Sequence, residues 1–136
     1  MKDIKTIEQE ILDEINLFGD DWEAKYSYII ELGKNLPSFP SPYKTDEYLI
    51  KGCQSRVWLK AEKENDLLHF HADSDALIPK GIIALLLKLV NHQPAKEIAA
   101  YDFGIIEKIG LTQHLSPTRA NGLLNMIKQI KLYAQN

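Results

Sequence analysis

The longest apolar stretch of the chain covers residues 82–90 and is interrupted only by Lys88. It is too short to span a bilayer, which takes about 20 predominantly apolar residues. It therefore reads as part of a strongly apolar helix over about residues 76–90, inside an ordered core. Pro79 leaves the start of that helix open, because a proline deeper than the first turn costs a backbone hydrogen bond. Composition agrees with a core: 45% of the residues are hydrophobic and 26% charged, close to the globular average. A length of 136 residues suits one compact domain over 1–136.

The elements around this helix follow from periodicity and punctuation. Ile4, Ile7, Ile11, Leu12, Ile15 and Phe18 recur at helical spacing and predict an amphipathic first helix ended by Gly19. Asp20, three residues before Glu23, reads as a capping-box variant opening a second helix. Its apolar face is Trp22, Tyr26, Ile29 and Ile30, and Gly33 stops it. Pro37, Pro40 and Pro42 then mark an extended loop. Short strands are predicted over 48–51, 56–63 and 67–72, with turns at 52–55 and 64–66. In the last strand Leu68, Phe70 and Ala72 share one face, His69 and His71 the other. Pro94 opens a short helix and another lies at 105–109. Ser116-Pro117 supplies an N-cap and a first-turn proline for a final helix burying Leu123, Leu124, Ile127 and Ile130. The sum is an α+β fold, a small antiparallel sheet of about three strands packed against N- and C-terminal helices.

Several function classes lose support here. The net charge is −3 and no basic block gives a nucleic-acid footprint. The glycines are scattered, without a phosphate-binding loop. The N-terminus, MKDIKTIEQE, lacks the apolar run and cleavage site of a signal peptide, so a cytoplasmic location is expected. One cysteine cannot form an internal disulfide, a multi-cysteine zinc site or the thiolate set of an iron–sulfur cluster.

That cysteine, Cys53, lies in Lys51-Gly52-Cys53-Gln54-Ser55 at a turn between two predicted strands. A lone cysteine is commonly a small buried hydrophobe. Here the neighbours are polar or glycine, and Gly52 frees the backbone to put a side chain at a turn tip. Lys51 and Arg56 flank the thiol, and nearby positive charge lowers a thiol pKa. His69 and His71 form an H-x-H pair without a visible third ligand, so no metal site is assigned. His114 could partner Cys53 as the base of a cysteine hydrolase, although a histidine beside a helix cap is more often structural. Asp73 and Asp75 are explained by turn formation and capping as well as by acid–base work. Arg119 falls in the first turn of the last helix, where the macrodipole disfavours a cation unless an anionic partner holds it.

Four segments together resemble the SufE family of sulfur acceptors: WEAKYSYIIELGKNLP (22–37), GCQSRVWL (52–59), DSDALIPKGIIALLL (73–87) and LTQHLSPTRANGLLNMI (111–127). They occur in the family's order, over nearly the whole chain. The resemblance implies a fold shared with the IscU-type scaffolds, and Cys53 as the sulfur acceptor. It implies a SufS- or CsdA-type cysteine desulfurase as partner, with pyridoxal phosphate held by that partner and no cofactor by this chain. The sulfur would pass to a SufBCD-type scaffold, and the protein would act as an activator of the desulfurase rather than a free-standing enzyme, as a monomer or homodimer. Gly52, Gln54, Ser55, Asp73, Asp75 and Arg119 are expected to support the loop or meet the partner. Tyr48 departs from the family, which often carries asparagine there, whereas Lys44 fits its pattern. The alternative is a hydrolase or thiol transferase using Cys53 and His114.

Overall fold

The structure, a computed structural model, describes residues 2–136. Helix α1 (Ile4–Asn16) begins where the Asp3 carboxylate accepts the Thr6 backbone N–H at 2.8 Å, satisfying an amide that has no partner inside the helix. Helix α2 (Trp22–Lys34) is capped by Asp21, which accepts from the Ala24 N–H at 3.0 Å. The cap is thus one residue later than expected, and the Asp20–Glu23 box does not form.

Gly33 does not stop α2. It lies inside the helix, and Asn35 is the C-cap. A Cβ on Gly33 would stand 2.8 Å from the Gly81 nitrogen, and one on Gly81 would stand 2.4 Å from the Ile29 carbonyl oxygen. The two glycines serve close approach of backbones rather than helix termination. Gly81 belongs to α3 (Leu77–Val90), in which residues 81–87, Leu89 and Val90 are buried and Lys88 is exposed. A helix apolar on every side needs cover on every side, and α1, α2, α6 and the sheet supply it. Pro79 is third in α3, within the first turn, where its missing N–H would have had no helical partner; Lys80 makes a bond to the Ala76 carbonyl at 3.0 Å.

Strands β1 (Val57–Glu64) and β2 (Leu67–Ser74) form an antiparallel hairpin in register Val57 opposite Ser74 to Glu64 opposite Leu67. The connecting Asn65 and Asp66 both have positive φ (52° and 68°), the conformation that matches hairpin twist. The third strand of the sheet is β3 (Gln93–Pro94), paired with the start of β2. Residues 48–51, expected as a strand, contribute only a bridge from Leu49 to Trp58 and a bond from the Ile50 N–H to the Val57 carbonyl. Two short 3-10 turns, Ser41–Tyr43 and Asp46–Tyr48, bring the chain across β1, and it turns away at Gly52 before a ladder can extend. As expected, Leu68, Phe70 and Ala72 are buried, while His71 points to solvent.

Helices α4 (Ala95–Ala100) and α5 (Ile105–Ile109) lead to α6 (Pro117–Gln135), capped by the Ser116 hydroxyl accepting from the Arg119 N–H at 3.3 Å. Leu123, Met126 and Ile130 are buried, but Leu124 is 58% exposed, contrary to expectation. Neighbouring helical residues point about 100° apart, so Leu124 cannot share the inward face of Leu123. The architecture is α+β, with a three-stranded antiparallel sheet and helices from both ends of the chain around α3.

Candidate functional site

The loop of residues 51–56 runs between the Leu49 bridge and β1, and α6 receives it. Gly52 adopts φ +85°, a conformation glycine takes at no steric cost. Its carbonyl accepts a hydrogen bond from Asn125 Nδ2 at 3.0 Å. Cys53 is half-buried and its thiol donates to the Gly122 carbonyl, Sγ to oxygen 3.7 Å. Gly122 is buried in α6, and a Cβ there would lie 3.6 Å from Sγ. The sulfur faces a cavity of about 260 Å³ with apolar walls from Val57, Pro79, Ile82 and Met126 and a polar lining that includes Gln54, Ser55 and Arg119.

Burial pushes the Cys53 thiol pKa up. This corrects the expectation that Lys51 and Arg56 depress it. Both cations are exposed, so water screens them, while the sulfur side of the loop turns toward apolar walls. Burial thus favours the protonated thiol in this pocket, and the thiolate is favoured where the sulfur leaves it.

The far end of the loop is clasped by the turn after β2. The Arg56 N–H donates to Asp75 Oδ1 at 3.1 Å, and the Arg56 carbonyl accepts from the Asp75 N–H at 3.2 Å and the Ser74 hydroxyl at 2.7 Å. Asp73 faces elsewhere, pairing with Lys44 Nζ at 3.0 Å and Lys80 Nζ at 3.2 Å. Burial raises its pKa, but the bonds from Lys44, the Ser74 N–H and Lys80 outweigh burial and hold the carboxyl below its ordinary range. The two aspartates therefore do separate structural work and are not a facing acid–base pair. Arg119, exposed in the first turn of α6, lines the same cavity as Cys53.

His114 is not brought to Cys53. Its ring stacks on Trp22 at 3.6 Å between centroids and 16° between planes, and its Nδ1 lies 2.9 Å from the Gly110 carbonyl. The Tyr26 hydroxyl donates to its backbone carbonyl. A Cys53–His114 dyad thus has no geometry here. His69 meets His92, Nδ1 to Nδ1 2.5 Å, a partner no local pattern announced. Among the described residues no group of three or more metal-ligating side chains converges. Sequence reasoning also missed Gly122 and Asn125, although both lie in the quoted GLLNMI segment at i, i+3 spacing, which puts them on one helix face.

The chain has relatives among known proteins. Residues 9–134 match the family model described as SufE, Fe-S metabolism associated domain. An uncharacterized SufE-like protein of Rhizobium etli is 45% identical over 127 residues, covering 90% of this chain and 85% of its own length. One from Rhizobium meliloti is 44% identical over 131 residues, covering 93% of each chain. The solution structure of a hypothetical protein from Thermus thermophilus has the same fold, with a TM-score of 0.77 at 15% identity over 95% of this chain and 93% of that one. The chain belongs to the SufE family, and its role lies in iron–sulfur metabolism.

Proposed function

We propose that Cys53 accepts persulfide sulfur from a pyridoxal-phosphate-dependent cysteine desulfurase of the SufS or CsdA type and delivers it to a SufBCD-type scaffold. The observation that carries this reading is the setting of the only thiol in the chain, at a glycine turn, half-buried over a cavity with mixed apolar and polar walls. In the transfer, the Cys53 thiolate attacks the terminal sulfur of the donor persulfide. A new S–S bond forms, the donor S–S bond breaks, and the donor cysteine leaves as thiolate, so no external oxidant or reductant is needed.

The resting pocket serves the product better than the attack. A persulfide is readily reduced or oxidised, and apolar walls shield it between partners. Attack needs thiolate, so the loop swings outward on docking, where the thiol loses the burial that holds its proton. Removing the acceptor sulfur frees the desulfurase for another turnover, which makes this chain an activator. The relay works in the cytoplasm, where thiols stay reduced.

The test mixes the protein with a SufS-type desulfurase and L-cysteine. Intact mass is expected to rise by whole sulfur atoms, and desulfurase turnover to increase. Cys53→Ser is expected to abolish both. A wild-type protein that gains no sulfur and stimulates no SufS- or CsdA-type desulfurase overturns the assignment.

A further inference from the structure

Two residues of α6, one turn apart, grip consecutive residues of the Cys53 loop. Gly122 takes the thiol of Cys53 and Asn125 takes the carbonyl of Gly52. Among the described residues, these contacts are the hydrogen bonds that tie residues 51–55 to the rest of the protein. They are unequal. A thiol donating over 3.7 Å is a weak bond, whereas the Asn125 amide donates at 3.0 Å to a full carbonyl acceptor.

The fit around Asn125 is also steric. A Cβ on Gly52 would stand 2.2 Å from Asn125 Nδ2, so the amide packs directly on bare glycine backbone. Arg56, at the other end of the loop, is held by three bonds to Ser74 and Asp75. The loop is therefore firmly anchored at Arg56 and fastened near Gly52 chiefly by one side-chain amide. Asn125 is reachable as well. It lines a second cleft of about 390 Å³ with Tyr48, Lys128 and Leu132, so a group entering there competes for the amide without touching the sulfur.

We propose that Asn125 is a positioning residue that latches the Cys53 loop in its thiol-in state, and that loss of its bond to Gly52 releases the acceptor. Its purpose rests on the reading of Cys53 as a sulfur acceptor. The latch regulates when the acceptor is exposed, and sequence distance from Cys53 hides it. Its test does not depend on that reading.

The experiment measures alkylation of Cys53 by iodoacetamide in the isolated full chain, across a pH series. It compares wild type with Asn125→Ala and with Asn125→Leu, which keeps the side-chain size but cannot donate. Both variants are expected to react roughly fivefold faster at neutral pH, the population shift that follows loss of one intramolecular hydrogen bond. The midpoint of the pH profile is expected to move down, because an exposed thiol escapes the burial that raises its pKa. Both changes should accompany only the small drop in melting temperature that one hydrogen bond explains, whereas a merely structural residue would move stability and leave the profile alone. Wild-type rates and an unmoved profile in both variants overturn the latch. If the variants alkylate faster while no protein, wild type included, takes sulfur from a desulfurase, the latch stands and the acceptor reading falls. With the acceptor reading intact, the persulfide of Asn125→Leu should be lost to dithiothreitol several-fold faster than that of wild type.

Discussion

At the scale of single residues, the site is governed by which charges are buried and which are wet. Lys51 and Arg56 stand next to the thiol in sequence but lie in solvent, so their nearness does little. Asp73 is the opposite case, a carboxylate with little exposure held by two lysines. Its folded pKa lies below the usual 3.8, so the folded form sheds its proton more readily than the unfolded chain. The stability this confers is complete above 3.8 and is lost as pH falls through the lowered folded value. Asp73→Asn is therefore expected to flatten the acid limb of the stability profile below about pH 4, read as the urea midpoint against pH. An unchanged limb would show that Lys44 and Lys80 do not act through this carboxylate. The motif DSDA was legible in the sequence, but its division of labour was not. Alternation along a strand says which residues share a face and not which lysine arrives from a distant loop.

At the scale of elements, glycines carry contrasting duties that look alike in sequence. Gly33 and Gly81 let α2 and α3 touch backbone to backbone. Gly81→Ala would press its Cβ against the Ile29 carbonyl, and it is expected to cost about 2–3 kcal/mol, the usual penalty for overpacking. Gly122→Ala is different, because its Cβ would meet Cys53 Sγ at ordinary contact distance. That change is expected to stabilise α6 by up to about 1 kcal/mol through helix propensity. Urea denaturation of both variants checks the contrast, and equal shifts in the same direction would contradict it. Periodicity located the helices well because apolar repeats at 3.6 residues survive any packing partner. The third strand escaped detection because two residues ending in proline carry no alternation. Residues 48–51 misled for the converse reason: they look like a strand, but the turn at Gly52 ends the pairing after one bridge.

At the scale of the whole molecule, α3 is the axis on which the helices and the sheet converge, and the turn after it carries His92 to His69. Burial, then the neighbouring His69 and His71, hold the His92 pKa below its ordinary 6.5. The folded protein thus takes this proton less readily than the unfolded chain. Stability is full above pH 6.5 and declines as pH falls from there toward the lowered folded value. His92→Asn is expected to remove that decline. It should not destabilise at neutral pH, because His92 sits at φ 63°, where asparagine is well tolerated. Urea midpoints between about pH 5 and 7.5 decide this, and identical slopes in both proteins would refute the role of His92.

The sequence by itself determined the α+β class, the apolar helix that must be covered, the α6 cap at Ser116-Pro117 and, through four ordered segments, the SufE family. These are local or additive properties: spacing, capping and motif order need no knowledge of what lies across the fold. Tertiary structure alone decided that Cys53 is a half-buried thiol over a cavity, its pKa raised by burial, that His114 belongs to Trp22, and that the Asn125 amide meets the Gly52 carbonyl. Those outcomes depend on burial and on pairs far apart in sequence, such as Cys53 with Gly122 and Trp22 with His114. A dielectric environment and a contact arise only when the chain has closed on itself.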